Sequence, residues 1–441
     1  MFAVKHFVRV NLNSNNNSIS KISIRTINHQ CRLLIVGGGS GGMSMGAKFA
    51  KDYKQDDIII VEPSNLHYYQ PMFTLIGGGI KTFDKSHRQT KNIIPKKVKW
   101  IQDSVTQFKP NDSMVITSEG DKISYDYMLV AMGLVLNYNQ IKGCEEALAC
   151  APDSGVCSIY SPKYVSQVLP TLENFKSGNA LFTFPHSPVK CPGAPQKICY
   201  LAEHLFRKRN VRDKANISYI TALPVIFGVK EYAKSLVKVA AKKKINVKYS
   251  THLVEIFPDK KEAVFQNLND KSCTTEKYSV LHVTPPQSTP PELKAATHLT
   301  NEAGFLDVKK HNLQHVKYPN IFGIGDCTNS PNSKTVAAVA AQSQVVYKHL
   351  KALMDGKVEK QSKYDGYASC PLLTGYGTCI LAEFDYNLER KETFPIDQRK
   401  ESWLMYQLKK EAMPPLYWHL MLNGYWNGPE FYRKMLHLGM V

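Results

Sequence analysis

Cysteine is the residue type through which this 441-residue chain could do redox chemistry, and two of its ten cysteines stand in distinctive segments. Cys191 lies in the loop of residues 185–195, directly before a predicted helix, where the helix dipole and Lys190 favour the thiolate. Cys370 lies in a second predicted loop, residues 364–376. No cysteine pair has CxxC spacing and no cluster has metal-ligand spacing, so we predict thiol chemistry without a metal.

A glycine-rich turn provides a second chemical feature, a site for phosphate groups. Apolar residues 33–36 predict a buried strand that runs into Gly37-x-Gly39-x-x-Gly42, which opens a predicted helix. These glycines permit a tight turn, close approach of backbone amides to a pyrophosphate, and close packing of helix on strand. A second predicted strand, residues 57–61, ends at Glu62, which can accept a hydrogen bond from a ribose hydroxyl. This context favours a dinucleotide site over a glycine-rich surface loop.

Two further segments extend the nucleotide-binding pattern. One predicted strand ends at Gly133, and another, far downstream, ends in Gly325-Asp326, which suits an acid beside a ribityl chain. This order of elements resembles the first nucleotide-binding domain of flavoproteins that carry two dinucleotide-binding domains. The resemblance implies FAD as the cofactor.

The middle of the chain predicts a second domain of the same type without a second phosphate-binding turn. Residues 179–184, 196–209 and 216–221 predict a strand, a helix and a strand, which together form a βαβ unit. The loop of residues 185–195 between them has four prolines and one glycine. Because prolines lack amide donors, this loop is unsuited to hold the pyrophosphate of NADH.

Several motifs closely resemble those of mitochondrial sulfide:quinone oxidoreductases. They are Val-Lys-Cys-Pro-Gly-Ala-Pro-Gln-Lys at 189–197, Phe-Gly-Ile-Gly-Asp-Cys-Thr-Asn at 322–329, Ser-Cys-Pro-Leu at 369–372 and Gly-Tyr-Trp-x-Gly-Pro at 424–429. The resemblance implies that Cys191 and Cys370 form the redox pair, with Cys191 nearer the flavin and Cys370 carrying a persulfide. The FAD contacts of the family fall on Ser40, Gly41, Glu62, Gln70, Val105, Asp326 and Lys334.

The same resemblance implies a reaction and its partners. Hydrogen sulfide is oxidised to a protein persulfide, the sulfane sulfur passes to a small acceptor such as glutathione or sulfite, and two electrons pass to ubiquinone. A type II NADH:quinone oxidoreductase is one alternative, which the proline-rich loop at 185–195 disfavours. A non-enzymatic FAD-binding membrane factor is another, which gives no reason for the two cysteine segments.

Bulk composition limits the partners further. The formal net charge is +19, which predicts attraction to anionic surfaces. The basic residues are spread along the chain and accompany no nucleic-acid motif, so we expect no nucleic acid partner. No run of 18 apolar residues occurs, so we expect no membrane-spanning helix.

The two ends of the chain differ from the rest in composition. Residues 1–30 hold four basic residues and no acidic one, which favours a mitochondrial transit peptide over a disordered low-complexity tail. Residues 403–441 interleave aromatic side chains with Met, Leu and cations, and Pro414-Pro415 and Gly424 predict two short helices. We expect this tail to lie in the inner mitochondrial membrane interface on the matrix side and to admit the quinone. A capping subdomain or a dimer contact is the alternative.

The predicted fold is α/β, with two Rossmann-like dinucleotide-binding-type domains, as in flavoprotein disulfide reductases, and a C-terminal helical membrane-associating region. The predicted FAD-binding domain comprises residues 31–150 and 300–360. Residues 151–299 form the second Rossmann-like domain, which carries Cys191. Residues 361–441 carry Cys370 and the tail.

Overall fold

The structure is a computed structural model that describes residues 27–439. Most of the predicted transit peptide, residues 1–26, therefore lies outside the described part of the chain. Its last residues, 28–30, belong to the first strand. No helix between residues 27 and 439 is both long and apolar enough to cross a membrane.

The described residues form 21 strands and 11 α-helices. The strands are β1 Asn28–Val36, β2 Ile58–Val61, β3 Leu66–Tyr68, β4 His87–Gln89, β5 Lys99–Ile101, β6 Val105–Lys109, β7 Met114–Thr117, β8 Lys122–Val130, β9 Val135–Leu136, β10 Val156–Cys157, β11 Gly178–Phe184, β12 Ala215–Thr221, β13 Asn246–Lys248, β14 Thr251–Phe257, β15 Glu262–Asn267, β16 Cys273–Lys277, β17 Val280–His282, β18 Gln287–Ser288, β19 Ile321–Gly323, β20 Ala368–Gly375 and β21 Thr378–Phe384. The α-helices are α1 Ser40–Phe49, α2 Phe73–Gly77, α3 Cys144–Ala149, α4 Val168–Glu173, α5 Ala194–Lys208, α6 Lys230–Lys242, α7 Pro291–Ala295, α8 Val336–Met354, α9 Trp403–Gln407, α10 Met413–Pro415 and α11 Glu430–Leu436.

The first sheet positions the glycine turn. Its strand order is β5-β2-β1-β8-β7-β6, and β19 pairs with β8. The strands β5, β2, β1, β8 and β19 run parallel, so the turns after β1 and β19 meet at the same edge. Residues 33–36 of β1 are buried, as expected for a central parallel strand covered on both faces. The predicted strand, glycine turn and helix are confirmed.

The second sheet carries the Cys191 loop. It consists of five parallel strands in the order β10-β17-β11-β12-β13. The predicted βαβ unit is confirmed as β11, α5 and β12, and the loop with Cys191 connects β11 to α5. A three-stranded antiparallel sheet, β14-β15-β16, lies within the same part of the chain.

The hairpin of β20 and β21 positions the second cysteine and packs against α5. Cys370 is the third residue of β20, so the prediction that it lies in a loop is wrong. A strand next to a helix holds the Cys370 side chain more firmly than a loop does, and it is almost fully buried. Cys379 lies on the neighbouring strand, β21.

The tail is helical from Trp403 to Met421, so the predicted break at Pro414-Pro415 is wrong. The two prolines stand in the first turn of α10, directly after a π-helical turn at Leu408–Ala412. The π-helical turn shifts the hydrogen-bond pattern of the helix, which accommodates two residues without an amide donor. A second π-helical turn spans Leu416–Met421, and Gly424, with φ of 74°, separates it from α11.

Candidate active site: a thiol pair at a dinucleotide-type cavity

A cavity of about 780 Å³ lies among the glycine turn, the Cys191 loop and the tail. This volume is in the range of cofactor and ligand sites. Most of the residues assigned from the sequence line it: Gly37, Gly39, Ser40, Gly41, Glu62, Gln70, Cys191, Asp326 and Lys334. The other three, Gly42, Val105 and Cys370, do not line it. Val105 is buried at the start of β6, an edge strand of the first sheet, and β8 and β7 lie between β6 and the strand β1 that leads into the glycine turn.

The glycine turn has the shape that a pyrophosphate requires. Gly37 has φ of 102°, and a Cβ there would lie 2.6 Å from the Ala131 carbonyl oxygen. A Cβ on Gly42 would lie 1.9 Å from the Gly37 carbonyl oxygen, so only glycine allows α1 to pack on this turn. Gly39 faces open space, immediately before the first residue of α1. The turn therefore presents the N-terminus of α1 to the cavity, which fits a dinucleotide such as FAD.

Two carboxylates lie at the ends of strands beside this turn. Glu62 accepts hydrogen bonds from the Gly38 amide at 2.7 Å and the Ser64 amide at 2.8 Å, although burial raises its pKa. Burial also raises the pKa of Asp326, whereas the charges of Lys334 and Lys190 lower it. Gly325 before it has φ of 79°, a turn that suits glycine.

The backbone of the Cys191 loop is attached to the segment that carries Lys334. The Cys191 amide donates to the Lys334 carbonyl oxygen at 2.7 Å, and the Tyr160 hydroxyl donates to the Cys191 carbonyl oxygen at 3.3 Å. Cys191 has φ of 50°, a left-handed conformation that is uncommon for a residue with a Cβ. These contacts hold a strained residue in place, with its side chain at the cavity wall.

The two cysteine side chains assigned to the redox pair meet. Cys191 Sγ and Cys370 Sγ are 3.9 Å apart, both as free thiols, across the interface between the α5 loop and β20. A Cβ at Gly193 would lie 2.7 Å from Cys370 Sγ and 2.5 Å from a Leu372 methyl carbon. Glycine at position 193 is therefore what allows the loop to approach the strand.

A buried lysine makes the two thiols unequal. Lys197 Nζ lies 3.1 Å from Cys191 Sγ and 3.9 Å from Cys370 Sγ. The hydrogen bond from Cys370 and the positive charges of Lys197 and Lys409 hold the pKa of Cys191 well below its ordinary value. The hydrogen bond with Cys191 and burial hold the pKa of Cys370 well above it. Cys191 is thus the thiolate of the pair, and Cys370 is the protonated thiol.

Sequence reasoning missed both lysines and named Lys190 instead. Lys190 is half-buried, and the charge that faces it is the Asp326 carboxylate. Lys197 stands in the first turn of α5, so its position six residues after Cys191 carried a usable signal. Lys409 comes from the π-helical turn of the tail, where burial lowers its pKa to about 8, and no sequence pattern links it to Cys191.

His67 and Cys379 do not join the thiol pair. His67 lines the cavity but makes hydrogen bonds to the Gly38 carbonyl and the Tyr417 hydroxyl, and burial lowers its pKa to about 4. Cys379 Sγ contacts only the Ile380 carbonyl among the hydrogen-bonding partners of the described residues. Within residues 27–439, no three His, Cys, Asp or Glu side chains are grouped so that they could hold a metal ion.

The tail completes the apolar wall of the cavity. Its lining residues share large hydrophobic or aromatic side chains: Leu408, Met413, Leu416, Tyr417, Leu420, Met421, Trp426, Tyr432 and Leu436. This wall continues to the outer surface of the tail, where Leu420 and Tyr432 are also partly exposed. The arrangement suits an apolar ligand that enters from the side of the tail.

Comparisons with known proteins give the family of this chain. Residues 31–157 match the family described as pyridine nucleotide-disulphide oxidoreductase. The chain is 49% identical over 417 residues to the mouse protein named "Sulfide:quinone oxidoreductase, mitochondrial", with 94% of this chain and 91% of the mouse protein covered.

Two solved structures share the fold at low sequence identity. A chain in the Tetrahymena thermophila mitochondrial ATP synthase has a TM-score of 0.79 at 22% identity, covering 94% of this chain and 100% of that chain. The Aquifex aeolicus sulfide:quinone oxidoreductase has a TM-score of 0.75 at 18% identity, covering 93% and 95%. Because the same fold occurs in a chain of an ATP synthase and in an oxidoreductase, the fold alone does not decide the function. The identity to the mouse protein decides the family: this chain is a FAD-dependent member of the mitochondrial sulfide:quinone oxidoreductases.

Proposed function

We propose that this chain oxidises hydrogen sulfide at the Cys191–Cys370 pair and delivers two electrons through FAD to ubiquinone. The observation that carries the proposal is the meeting of the two thiols, 3.9 Å apart, with one of them at the wall of the dinucleotide cavity. A small thiol or sulfite takes the sulfane sulfur. The relatives that support the family assignment are named as mitochondrial enzymes, which supports a mitochondrial location for this chain.

The inequality of the thiols assigns a role to each. When the pair is oxidised to a disulfide, hydrosulfide attacks Cys370 Sγ, the new S–S bond makes Cys370 a persulfide, and Cys191 leaves as a thiolate. Exchange is faster when the leaving thiol has the lower pKa, and Lys197 lowers the pKa of Cys191. The Lys197 ammonium therefore favours attack at Cys370 over attack at Cys191.

The cycle closes with balanced atoms and electrons. The acceptor attacks the outer sulfur of the persulfide, takes it away, and leaves Cys370 as a thiolate. Loss of two electrons from the two thiolates re-forms the disulfide. FAD, when bound, supplies the two-electron carrier between this pair and the quinone.

We propose the tail as the quinone entrance and the membrane-facing surface. Nine of the 18 large hydrophobic side chains that are exposed in the described chain belong to the tail: Trp403, Leu404, Leu420, Tyr425, Phe431, Tyr432, Met435, Leu436 and Leu438. Such a cluster of exposed apolar side chains suits a bilayer interface, because large exposed apolar patches are unusual on the surfaces of soluble proteins. A monotopic attachment to the matrix side of the inner membrane is the geometry that we favour.

Turnover with cysteine variants tests the proposal. Cys191→Ser and Cys370→Ser should each retain FAD and lose sulfide-dependent reduction of a short-chain quinone by at least a hundredfold, because each removes one sulfur of the disulfide. Cys379→Ser is the matched control, a buried cysteine on the neighbouring strand, and should keep near wild-type turnover. Near-normal turnover in either of the first two variants would contradict the assigned pair.

A further inference from the structure

One tail side chain reaches the phosphate-binding turn of the FAD domain. The Tyr417 hydroxyl lies 2.8 Å from Ser40 Oγ, at the first residue of α1, and 2.6 Å from His67 Nε2. His67 Nδ1 in turn lies 3.0 Å from the Gly38 carbonyl oxygen. Gly38, Ser40, His67 and Tyr417 all line the FAD cavity. The four residues thus form a chain of hydrogen bonds that begins and ends on the glycine turn.

The direction of each proton follows from the chemistry of the partners. A carbonyl oxygen only accepts, so His67 Nδ1 carries the proton that it donates to Gly38. Burial keeps the imidazole neutral, so Nε2 is an acceptor and the Tyr417 hydroxyl donates to it. The Tyr417 oxygen then accepts from the Ser40 hydroxyl. The direction of each of the three hydrogen bonds is therefore fixed, and loss of the Tyr417 hydroxyl leaves the buried His67 Nε2 without its donor.

A second contact attaches the tail to the other end of the same helix. Lys48, near the end of α1, donates hydrogen bonds from Nζ to the Gly424 carbonyl oxygen at 3.3 Å and to Asn427 Oδ1. A Cβ on Gly424 would lie 2.9 Å from Lys48 Cγ, so the tail backbone packs directly on α1 there. Ser40 and Lys48 therefore hold the tail at both ends of the helix whose N-terminus faces the pyrophosphate site.

We propose that Tyr417 is a positioning residue for FAD, which makes FAD binding and docking of the tail thermodynamically coupled. Tyr417 fixes Ser40 and, through His67, Gly38, and these two residues shape the turn that receives the pyrophosphate. By linkage, whatever loosens the tail weakens FAD binding, and loss of FAD loosens the tail. The proposal rests on FAD binding at this turn and is independent of the sulfide reaction.

The first test measures FAD affinity in purified holoenzyme. Tyr417→Phe removes only the hydroxyl and keeps the aromatic contact with Tyr69, whose ring centroid lies 4.5 Å away. We expect FAD to bind about tenfold more weakly, measured by flavin fluorescence after dilution into a series of FAD concentrations. Tyr406→Phe, at another buried tail tyrosine, is the control and should change the affinity less than twofold. An unchanged or tighter affinity in Tyr417→Phe overturns the proposal.

Two further measurements separate positioning from general destabilisation. In a Ser40→Ala background the effect of Tyr417→Phe on FAD affinity should shrink to about threefold or less, because part of the coupled route is already absent. Fully additive effects overturn the proposed route. In the wild-type chain, amide hydrogen exchange across residues 413–421 should speed up at least tenfold when FAD is removed by dialysis. Equal exchange with and without FAD overturns the coupling and needs no variant.

Discussion

Lys197→Met tests the electrostatic account of the thiol pair. The substitution removes the ammonium group 3.1 Å from Cys191 Sγ and keeps an apolar side chain of similar length. Opposite unit charges about 4 Å apart attract by about 4 kcal/mol at an effective dielectric constant of about 20. One pKa unit corresponds to about 1.36 kcal/mol, so loss of the ammonium should raise the pKa of Cys191 by up to about three units.

The sign of the effect sets the assay. Lys197 lowers the pKa of Cys191, so the wild-type thiolate persists as pH falls, whereas in the variant it forms only at higher pH. The rate at which iodoacetamide alkylates Cys191 in the reduced enzyme follows the thiolate fraction. We expect the midpoint of this rate to move upward by about two to three pH units. Sulfide-dependent turnover at neutral pH should fall at least tenfold, because Cys191 becomes a poorer leaving group.

Lys190→Met is the matched control, since Lys190 is a half-buried lysine that precedes Cys191 directly. Its charge faces Asp326, so its removal should move the alkylation midpoint of Cys191 by less than about half a pH unit. An unmoved midpoint in Lys197→Met refutes the reasoning. An equal movement in both variants would refute the assignment of Lys197 as the dominant cation.

Two further predictions concern packing at the pair and the surface of the tail. Gly193→Ala should lower the free energy of unfolding by about 1–3 kcal/mol and turnover at least tenfold, since its Cβ meets Cys370 Sγ at 2.7 Å. Urea unfolding and the turnover assay measure these two effects. Unchanged turnover would contradict the prediction, because it would mean that the Cys191 loop moves away from β20 without loss of activity. Phe431→Ser with Leu438→Ser should weaken sedimentation with cardiolipin-containing liposomes at least about a hundredfold, at roughly 1.5–3 kcal/mol per buried side chain. Undiminished liposome binding would place the membrane surface elsewhere, and turnover with a short-chain quinone serves as the folding control.

Features encoded within short segments could be predicted from the sequence. The turn at Gly37 follows from the glycines themselves, because a Cβ at Gly37 or Gly42 would strike the backbone. The strand, helix and strand around the Cys191 loop follow from local apolar patterns, and the structure has them as β11, α5 and β12. Cys191 and Cys370 are 179 residues apart, and the resemblance to the family, not a local pattern, paired them.

Features that depend on distant contacts escaped the sequence. Lys409 and Tyr417 come from the tail, and only the docking of the tail on the FAD domain places them at Cys191 and Ser40. The prolines at 414 and 415 predicted a break, because proline ordinarily interrupts a helix, yet a preceding π-helical turn accommodates them. The loop predicted around Cys370 is a strand, β20, which tolerates the proline after Cys370 because it has a single partner strand, β21.

Anaerobic titration of the purified holoenzyme tests the central claim most directly. With excess sulfite present as the sulfur acceptor, and with sulfite alone as the blank, sulfide should bleach the flavin absorbance in proportion to the amount added, up to one sulfide per FAD, because each sulfide then delivers two electrons through the Cys191–Cys370 pair. NADH in the same titration should leave the flavin oxidised, because the loop at residues 185–195 presents four prolines in place of a phosphate-binding turn. Stoichiometric bleaching by NADH, together with a flavin that stays oxidised in sulfide, would contradict the account.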